Sequence, residues 1–173
     1  MFGALEVGYQ AYVTSMVQGT IQQMARFGSL EGKTETDVKQ FAYQNLGKFV
    51  DSTDVDIDTR NYRTFADMGK PEKITTDTAP LGQFNLGDCF VDRQTNNQYD
   101  AAMDGESGLG YAESVVRYTL KVKFKRLSPV ADMVGMENPK EITRVTMIRN
   151  EPFQGVESAP TICTNLAGDY YED

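Results

Sequence analysis

The chain has 173 residues, of which 40% are hydrophobic and 24% charged, so it is the size of one domain and can bury a core. Its net charge of −8 argues against a nucleic-acid partner, which needs a basic surface, and against electrostatic docking onto an anionic membrane. The chain contains no histidine, which excludes Ser-His-Asp and Cys-His catalysis and imidazole zinc sites.

The first segment predicts an amphipathic helix that runs to about Arg26. Apolar residues recur there at three- and four-residue steps, and a polar stripe repeats at every fourth residue. The stretch is too rich in Gln and Thr for a transmembrane helix. The apolar positions are Leu5, Tyr9, Tyr12, Val13, Met16, Val17, Ile21 and Met24, and the polar positions are Gln10, Thr14, Gln18 and Gln22.

A second helix is predicted to begin after Thr34. Asp37 follows three residues later, and a Thr with an acid at this spacing is the pattern of a capping box. The apolar face of this helix is predicted to consist of Val38, Phe41, Ala42, Leu46 and Phe49.

Alternating apolar and polar residues predict strands later in the chain. Residues 54–65 place Val55 and Ile57 on one face and three aspartates on the other. The clearest strand is residues 114–127, with an apolar face and a basic face, and residues 141–150 are predicted as a third strand. We expect the basic face to lie beside the acidic one, because opposite charges across strands contribute about 0.2–1 kcal/mol each.

The remaining segments contain few periodic signals. The region from Asp67 to about Ser114 is predicted to be loops, and loops this long are functional, mobile, or contain short strands. The acidic tail at residues 154–173 is expected to be partly flexible. No domain boundary is evident, so residues 1–173 are predicted to form one domain. Helices followed by strands predict an α+β fold, with the long helix packed on an antiparallel sheet and with long loops elsewhere.

The two cysteines, Cys89 and Cys163, leave two alternatives open. In an oxidising compartment they would form a disulfide that closes a long loop, a link worth roughly 4 kcal/mol in the chain-entropy model. Otherwise they are two unrelated thiols. Two cysteines without histidine do not make a zinc site.

Five segments form an ordered pattern: FGALEVGYQAYVTSMVQGTIQQMAR, NYRTFAD, GDCFVDRQTNNQYD, VVRYTLKVKFKRLSPVADMVG and ITRVTMIRNEPF. Glu6, Gly8 and Arg26 lie in the first of them. Together the five segments resemble TadE-like proteins, the minor pilins or pseudopilins of the tight-adherence (Tad) type IV pilus system. The resemblance covers residues 2 to about 153.

The resemblance implies a type IV pilin-like fold in which the helix at residues 1–27 continues from an N-terminal membrane anchor. That anchor, the processing site and the early membrane-embedded Glu of the family have no counterpart in this sequence, and Glu6 lies too late to be that residue. The implied function is non-enzymatic: the chain helps to initiate or cap assembly of a bacterial Tad pilus by docking with other pilins or minor pilins. Its head is expected in the periplasm, anchored at the inner membrane, or outside the cell on the pilus. The expected subunit contacts are Phe2, Leu5, Glu6, Tyr9, Tyr12, Val13 and Met16.

Residues 92–104 carry a candidate calcium loop. A calcium loop places oxygen ligands at positions 1, 3, 5, 7 and 9, tolerates a positive φ at position 6, and has an acid at position 12. Asn97 stands at position 6 and Met103 at position 12, with an acid one residue late. The alternative is a polar turn without an ion. A calcium-dependent adhesin or binding module that uses residues 86–112 is therefore the second functional interpretation. The candidate ligands are Asp92, Gln94, Asn96, the backbone at Gln98, Asp100 and Asp104.

Overall fold

The structure is a computed structural model that describes residues 2–47, 50–127, 135, 138–152, 158–165 and 167–172. That part contains two α-helices and two antiparallel sheets, which confirms the predicted α+β class. The helices are α1 (Phe2–Gly28) and α2 (Glu35–Leu46). The strands are β1 (Val55–Tyr62), β2 (Lys73–Thr76), β3 (Cys89–Val91), β4 (Glu106–Ser107), β5 (Val115–Phe124), β6 (Lys140–Arg149), β7 (Thr161–Thr164) and β8 (Tyr170–Glu172).

The chain forms two compact units, whereas the sequence predicts one domain. The first unit comprises residues 1–59 and 116–151, and the second comprises residues 60–115 and 152–173. The division falls within β1 and within β5. Because a strand pattern continues through each division point, no linker or change of composition marks it in the sequence.

The second half of α1 forms the core of the first unit. Its buried residues follow the predicted three- and four-residue steps, and α1 packs against α2 and β6. No helix in the described part of the chain is long and apolar enough to cross a membrane. The buried side chains on α1 include Val13, Val17, Ile21, Met24 and Ala25.

The predicted capping box at the start of α2 is confirmed. The Asp37 N–H donates to Thr34 Oγ1 at 3.2 Å, and the Thr34 N–H donates to Asp37 Oδ2 at 2.9 Å. The hydrogen bonds from Thr34 lower the pKa of the Asp37 carboxyl. The predicted apolar face is buried at Val38, Ala42 and Leu46, while Phe49 lies outside the described residues. A stacked ring pair with centroids 5.0 Å apart, Phe27 and Phe41, joins the two helices.

The sheet of the first unit contains β1, β5 and β6 in that order. The predicted alternation is present on β5, whose apolar residues are buried from Val116 to Phe124. The expected pairing of the acidic and basic faces is also present, because Lys121 Nζ lies 3.6 Å from Asp56 Oδ2. Both side chains are largely exposed, so this ion pair contributes at most about 1 kcal/mol.

Gly28 is required by a close approach at the end of α1. A Cβ at this position would overlap the hydroxyl of Tyr118 and lie 3.0 Å from Val38 Cγ2. Tyr118 is fully buried on β5, and burial raises the pKa of its hydroxyl well above the usual range. The glycine therefore allows α1 to approach the sheet and α2 closely.

The second unit contains a sheet with strand order β2–β3–β7–β8. Cys89 on β3 is directly opposite Cys163 on β7, and the two form a disulfide, so the structure has the first of the two cysteine alternatives. Of the alternatives for the region 67–114, the structure has short strands. Within the tail at residues 154–173 the structure contains β7 and β8, and Ile162 on β7 is buried where it pairs with β3. The partial flexibility expected of this tail stays a prediction.

Candidate functional site

An open groove of about 510 Å³ lies in the second unit, beside the paired ends of β1 and β4. Three carboxylates, two carboxamides and one guanidinium line it, so it offers many hydrogen-bond acceptors and a net negative charge. Its lining residues are Arg60, Gln94, Asn96, Asp100, Ala102, Asp104, Gly105, Glu106 and Ser107.

Asp92 organises the loop that forms one wall of this groove. Its side chain is fully buried, and its two carboxylate oxygens accept the N–H groups of Asn96 at 3.3 Å and Asn97 at 2.7 Å. Asn97 has a φ of 57°, the left-handed conformation expected at this position from the sequence. Asn96 Oδ1 in turn accepts the Gln98 N–H at 2.9 Å. The loop is therefore a series of turns held by Asp and Asn side chains.

Glu72 holds the same loop through hydrogen bonds to its backbone, and no pattern in the sequence predicts this role. Glu72 Oε1 accepts the Arg93 N–H at 2.6 Å and the Gln94 N–H at 3.4 Å, and Oε2 accepts the Asp100 N–H at 3.1 Å. Glu72 is buried, and burial raises the pKa of its carboxyl despite these hydrogen bonds. A single Glu after a proline forms no sequence pattern from which hydrogen bonds to residues 21 to 28 positions away could be predicted.

A second missed contact fixes the start of the loop. Asp67 caps the turn after Thr64, since its Oδ2 accepts the Thr64 N–H at 2.8 Å, and its Oδ1 lies 2.5 Å from Arg93 Nη1. Here the sequence did contain a signal, because Thr64 and Asp67 have the same spacing as the capping box of α2.

The structure gathers four of the six candidate calcium ligands at the groove: Gln94, Asn96, Asp100 and Asp104. Gln94 Nε2 and Asn96 Nδ2 both donate to Asp100 Oδ2, so these carboxamides present nitrogen, which calcium does not bind, to the central carboxylate.

The other two candidates do not line the groove. Asp92 is fully buried with its oxygens on backbone N–H groups, and Gln98 is exposed. Within the described ranges, no three Cys, Asp or Glu side chains are close enough to hold a metal ion. Calcium binding at this groove therefore stays a prediction.

The first three turns of α1 present a second candidate site in the first unit. Every residue on their solvent side is apolar, and we name this surface the α1 outer face. Leu5 is 64% exposed, Val7 68% and Tyr12 51%, whereas the solvent side of a surface helix is normally polar. The α1 outer face consists of Ala4, Leu5, Val7, Gly8, Ala11 and Tyr12.

The opposite side of these turns is bound to the end of β5 and to the residues that follow it. Glu6 Oε2 accepts the Leu127 N–H at 3.1 Å, and its Oε1 lies 3.7 Å from Arg126 Nη1. Tyr9 packs edge-on against Phe124, with ring centroids 5.9 Å apart. These contacts hold the beginning of α1 in place, so its outer face is presented by an anchored helix.

The predicted subunit contacts therefore divide into separate groups. Leu5 and Tyr12 are exposed, Met16 is half-buried, and the side chain of Phe2 lies outside the described residues. Val13 is fully buried in the core of the first unit, so its side chain has no exposed surface in the isolated chain. The apolar period alone could not distinguish the buried side of α1 from its outer face.

The chain was compared with known protein families, with curated proteins and with solved structures, and no match was found in any of the three comparisons.

Proposed function

We propose that the chain is a structural, non-enzymatic subunit of a pilus-like assembly and that it docks through the α1 outer face. The observation that carries this proposal is the exposure of Leu5, Val7 and Tyr12 on a helix whose other side is anchored. Exposed apolar surface of this kind marks interaction sites in soluble proteins.

The architecture of the first unit supports the proposal. A helix of 27 residues, about 40 Å long, packs against β6 and leaves the outer side of its first half apolar. The resemblance to TadE-like minor pilins implies a long N-terminal helix that packs on a sheet and also contacts other subunits. The proposed partners are accordingly other pilin or minor pilin subunits, and the proposed role is to initiate or cap a Tad pilus.

The disulfide supports a location outside the cytoplasm. Cys89 and Cys163 are bridged across β3 and β7, and structural disulfides persist in the periplasm and on cell surfaces but are rare in the reducing cytosol. We therefore propose that the head of the protein lies in the periplasm or on an extracellular pilus.

The test removes the apolar side chains of the α1 outer face. The variant Leu5→Gln/Val7→Gln/Tyr12→Gln keeps residues that tolerate a helix, so circular dichroism is expected to show unchanged helix content. Sedimentation velocity is expected to show that wild-type chain self-associates as its concentration rises and that the variant does so at least about tenfold more weakly. If both sediment as monomers at every concentration, the α1 outer face is not a docking surface between copies.

A matched control distinguishes specific docking from non-specific hydrophobic association. Leu81, Leu86 and Tyr111 are exposed apolar residues in the second unit. The control variant Leu81→Gln/Leu86→Gln/Tyr111→Gln removes a similar amount of apolar surface and is expected to associate like wild type. Equal weakening in both variants would mean that the association is non-specific.

A second candidate function is a calcium-dependent binding module, and the gathering of four candidate ligands at one groove favours it. Thermal unfolding in calcium and in chelator distinguishes the two functions, because a ligand at 100 times its Kd adds about 2.7 kcal/mol to stability. Stabilisation by calcium but not by magnesium would support the binding module. Identical unfolding curves would eliminate it.

A further inference from the structure

Strand β6 ends the strand order of its sheet, and β5 is its neighbour among the described strands. Within the described residues no strand pairs with its outer edge, which runs along ten residues, about 33 Å. Neither proline nor glycine interrupts the sequence KEITRVTMIR. A long, continuous edge of this kind is a template for pairing with another strand.

The two faces of β6 differ in exposure. The even-numbered residues, such as Ile142 and Ile148, are buried or half-buried on the face that carries α1. The odd-numbered face is exposed and includes two large apolar side chains, Val145 at 51% and Met147 at 43%. The exposed face is Glu141, Thr143, Val145, Met147 and Arg149.

We propose that β6 binds the β6 strand of a second copy of this chain, antiparallel and with Val145 opposite Val145. In this register Glu141 is opposite Arg149 at both ends of the pair. Thr143 is opposite Met147 on the same face. Opposite charges on directly paired residues stabilise antiparallel strands, so the strand is complementary to itself.

The inner face supports the same register. Ile142 is opposite Ile148 twice, which places branched apolar side chains beside each other on the face that carries α1. Arg144 is opposite Thr146, so no like charges face each other along the strand. In this one register, therefore, the residues on both faces of β6 are complementary to those on the β6 strand of the second copy.

The adjacent registers are less favourable. Side chains keep their faces only when the alignment shifts by two residues. A shift in one direction places Arg144 opposite Arg144, and a shift in the other places Glu141 opposite Glu151, and both put like charges together. The register centred on Val145 is therefore specified by charge. This proposal depends on β6 alone and does not require the proposed function of the α1 outer face.

Charge reversals test the proposal by sedimentation equilibrium at physiological salt. Wild type is expected to dimerise. Glu141→Arg and Arg149→Glu each put like charges opposite one another at both ends, so each is expected to raise the dimer Kd at least about tenfold. An equimolar mixture of the two variants is expected to restore dimerisation, because each end of the heterodimer again pairs Glu with Arg or Arg with Glu.

Net charge predicts a different result, which makes the test decisive. The chain carries −8, so Glu141→Arg lowers the repulsion between copies and would strengthen a non-specific association. The register predicts that it weakens the dimer. The control Lys125→Glu alters an exposed residue just after β5 by the same amount of charge as Arg149→Glu and is expected to leave Kd within about threefold of wild type.

Three outcomes would overturn the proposal: a wild-type chain that stays monomeric, a Glu141→Arg variant that dimerises as well as wild type, or a mixture that shows no recovery. Circular dichroism of each variant verifies the fold. The variant of the α1 outer face, Leu5→Gln/Val7→Gln/Tyr12→Gln, is expected to retain the β6 dimer, so failure of one proposal is distinguishable from failure of the other.

Discussion

Replacement of Glu72 by alanine is the sharpest test of how the groove in the second unit is built. The side chain is buried, and its two oxygens accept three backbone N–H groups from the loop at residues 93–100. Two of these hydrogen bonds measure 2.6 Å and 3.1 Å, and the third, at 3.4 Å, is long and weak. Loss of two hydrogen bonds to a charged acceptor costs about 3 kcal/mol.

That cost is measurable by thermal or urea unfolding. For a chain of 173 residues, about 3 kcal/mol corresponds to a fall in Tm of about 6–12 °C. Glu31→Ala changes an exposed glutamate in the turn after α1 and serves as the matched control, with an expected change within about 0.5 kcal/mol. If Glu72→Ala unfolds like Glu31→Ala, Glu72 does not hold the loop.

The pH dependence gives a second readout of Glu72. Burial raises the pKa of its carboxyl in the folded chain above the ordinary value of 4.5, so the folded state binds the proton more tightly than the unfolded state. The stabilisation from Glu72 is therefore greatest below pH 4.5 and declines as pH rises through the folded pKa. Glu72→Ala is expected to cost more stability at pH 4 than at pH 7, and the reverse order would contradict the assigned burial.

The remaining predictions concern the packing of α1 and the disulfide. Gly28→Ala forces α1 away from the Tyr118 hydroxyl and is expected to cost about 1–3 kcal/mol, whereas Gly19→Ala, with open space around its Cα, is expected to stabilise the helix by up to about 1 kcal/mol. Equal effects of the two substitutions in urea unfolding would refute the close approach. Replacing Cys89 and Cys163 by serine opens a link between residues 74 apart and is expected to cost about 4.5 kcal/mol. Unchanged stability with and without reductant would contradict a structural role for the bridge.

The helices and the long strands were predictable because their signals are local. The capping box at Thr34 and the alternation along β5 each arise within a few residues, and the structure contains both. The neighbourhood of Asp56 and Lys121 was also predictable, since complementary charges on two strand faces favour pairing.

The second unit was largely unpredictable because its order depends on distant contacts. β3 is three residues long, and its partner β7 lies more than 70 residues later in a segment with an acidic composition. Neither strand is long enough to show a period of two. The role of Glu72 could not be predicted either, because its hydrogen-bond partners come close to it only when the loop at 93–100 has folded.

The candidate sites were predictable in composition but not in geometry. The sequence identified the polar loop at residues 92–104, yet not that Asp92 would be buried on backbone N–H groups. It identified the apolar residues of α1, yet an apolar period does not say which of them face the core. Leu5 and Tyr12 are exposed, and Val13 is not.

The central claim is that the α1 outer face is a docking surface, and sedimentation velocity of three proteins tests it most directly. These are the wild type, Leu5→Gln/Val7→Gln/Tyr12→Gln, and the control Leu81→Gln/Leu86→Gln/Tyr111→Gln. The claim predicts that the wild type and the control associate as their concentration rises. The α1 variant is expected to lose this association and to retain only the dimer formed through β6. Identical sedimentation of all three proteins would contradict it.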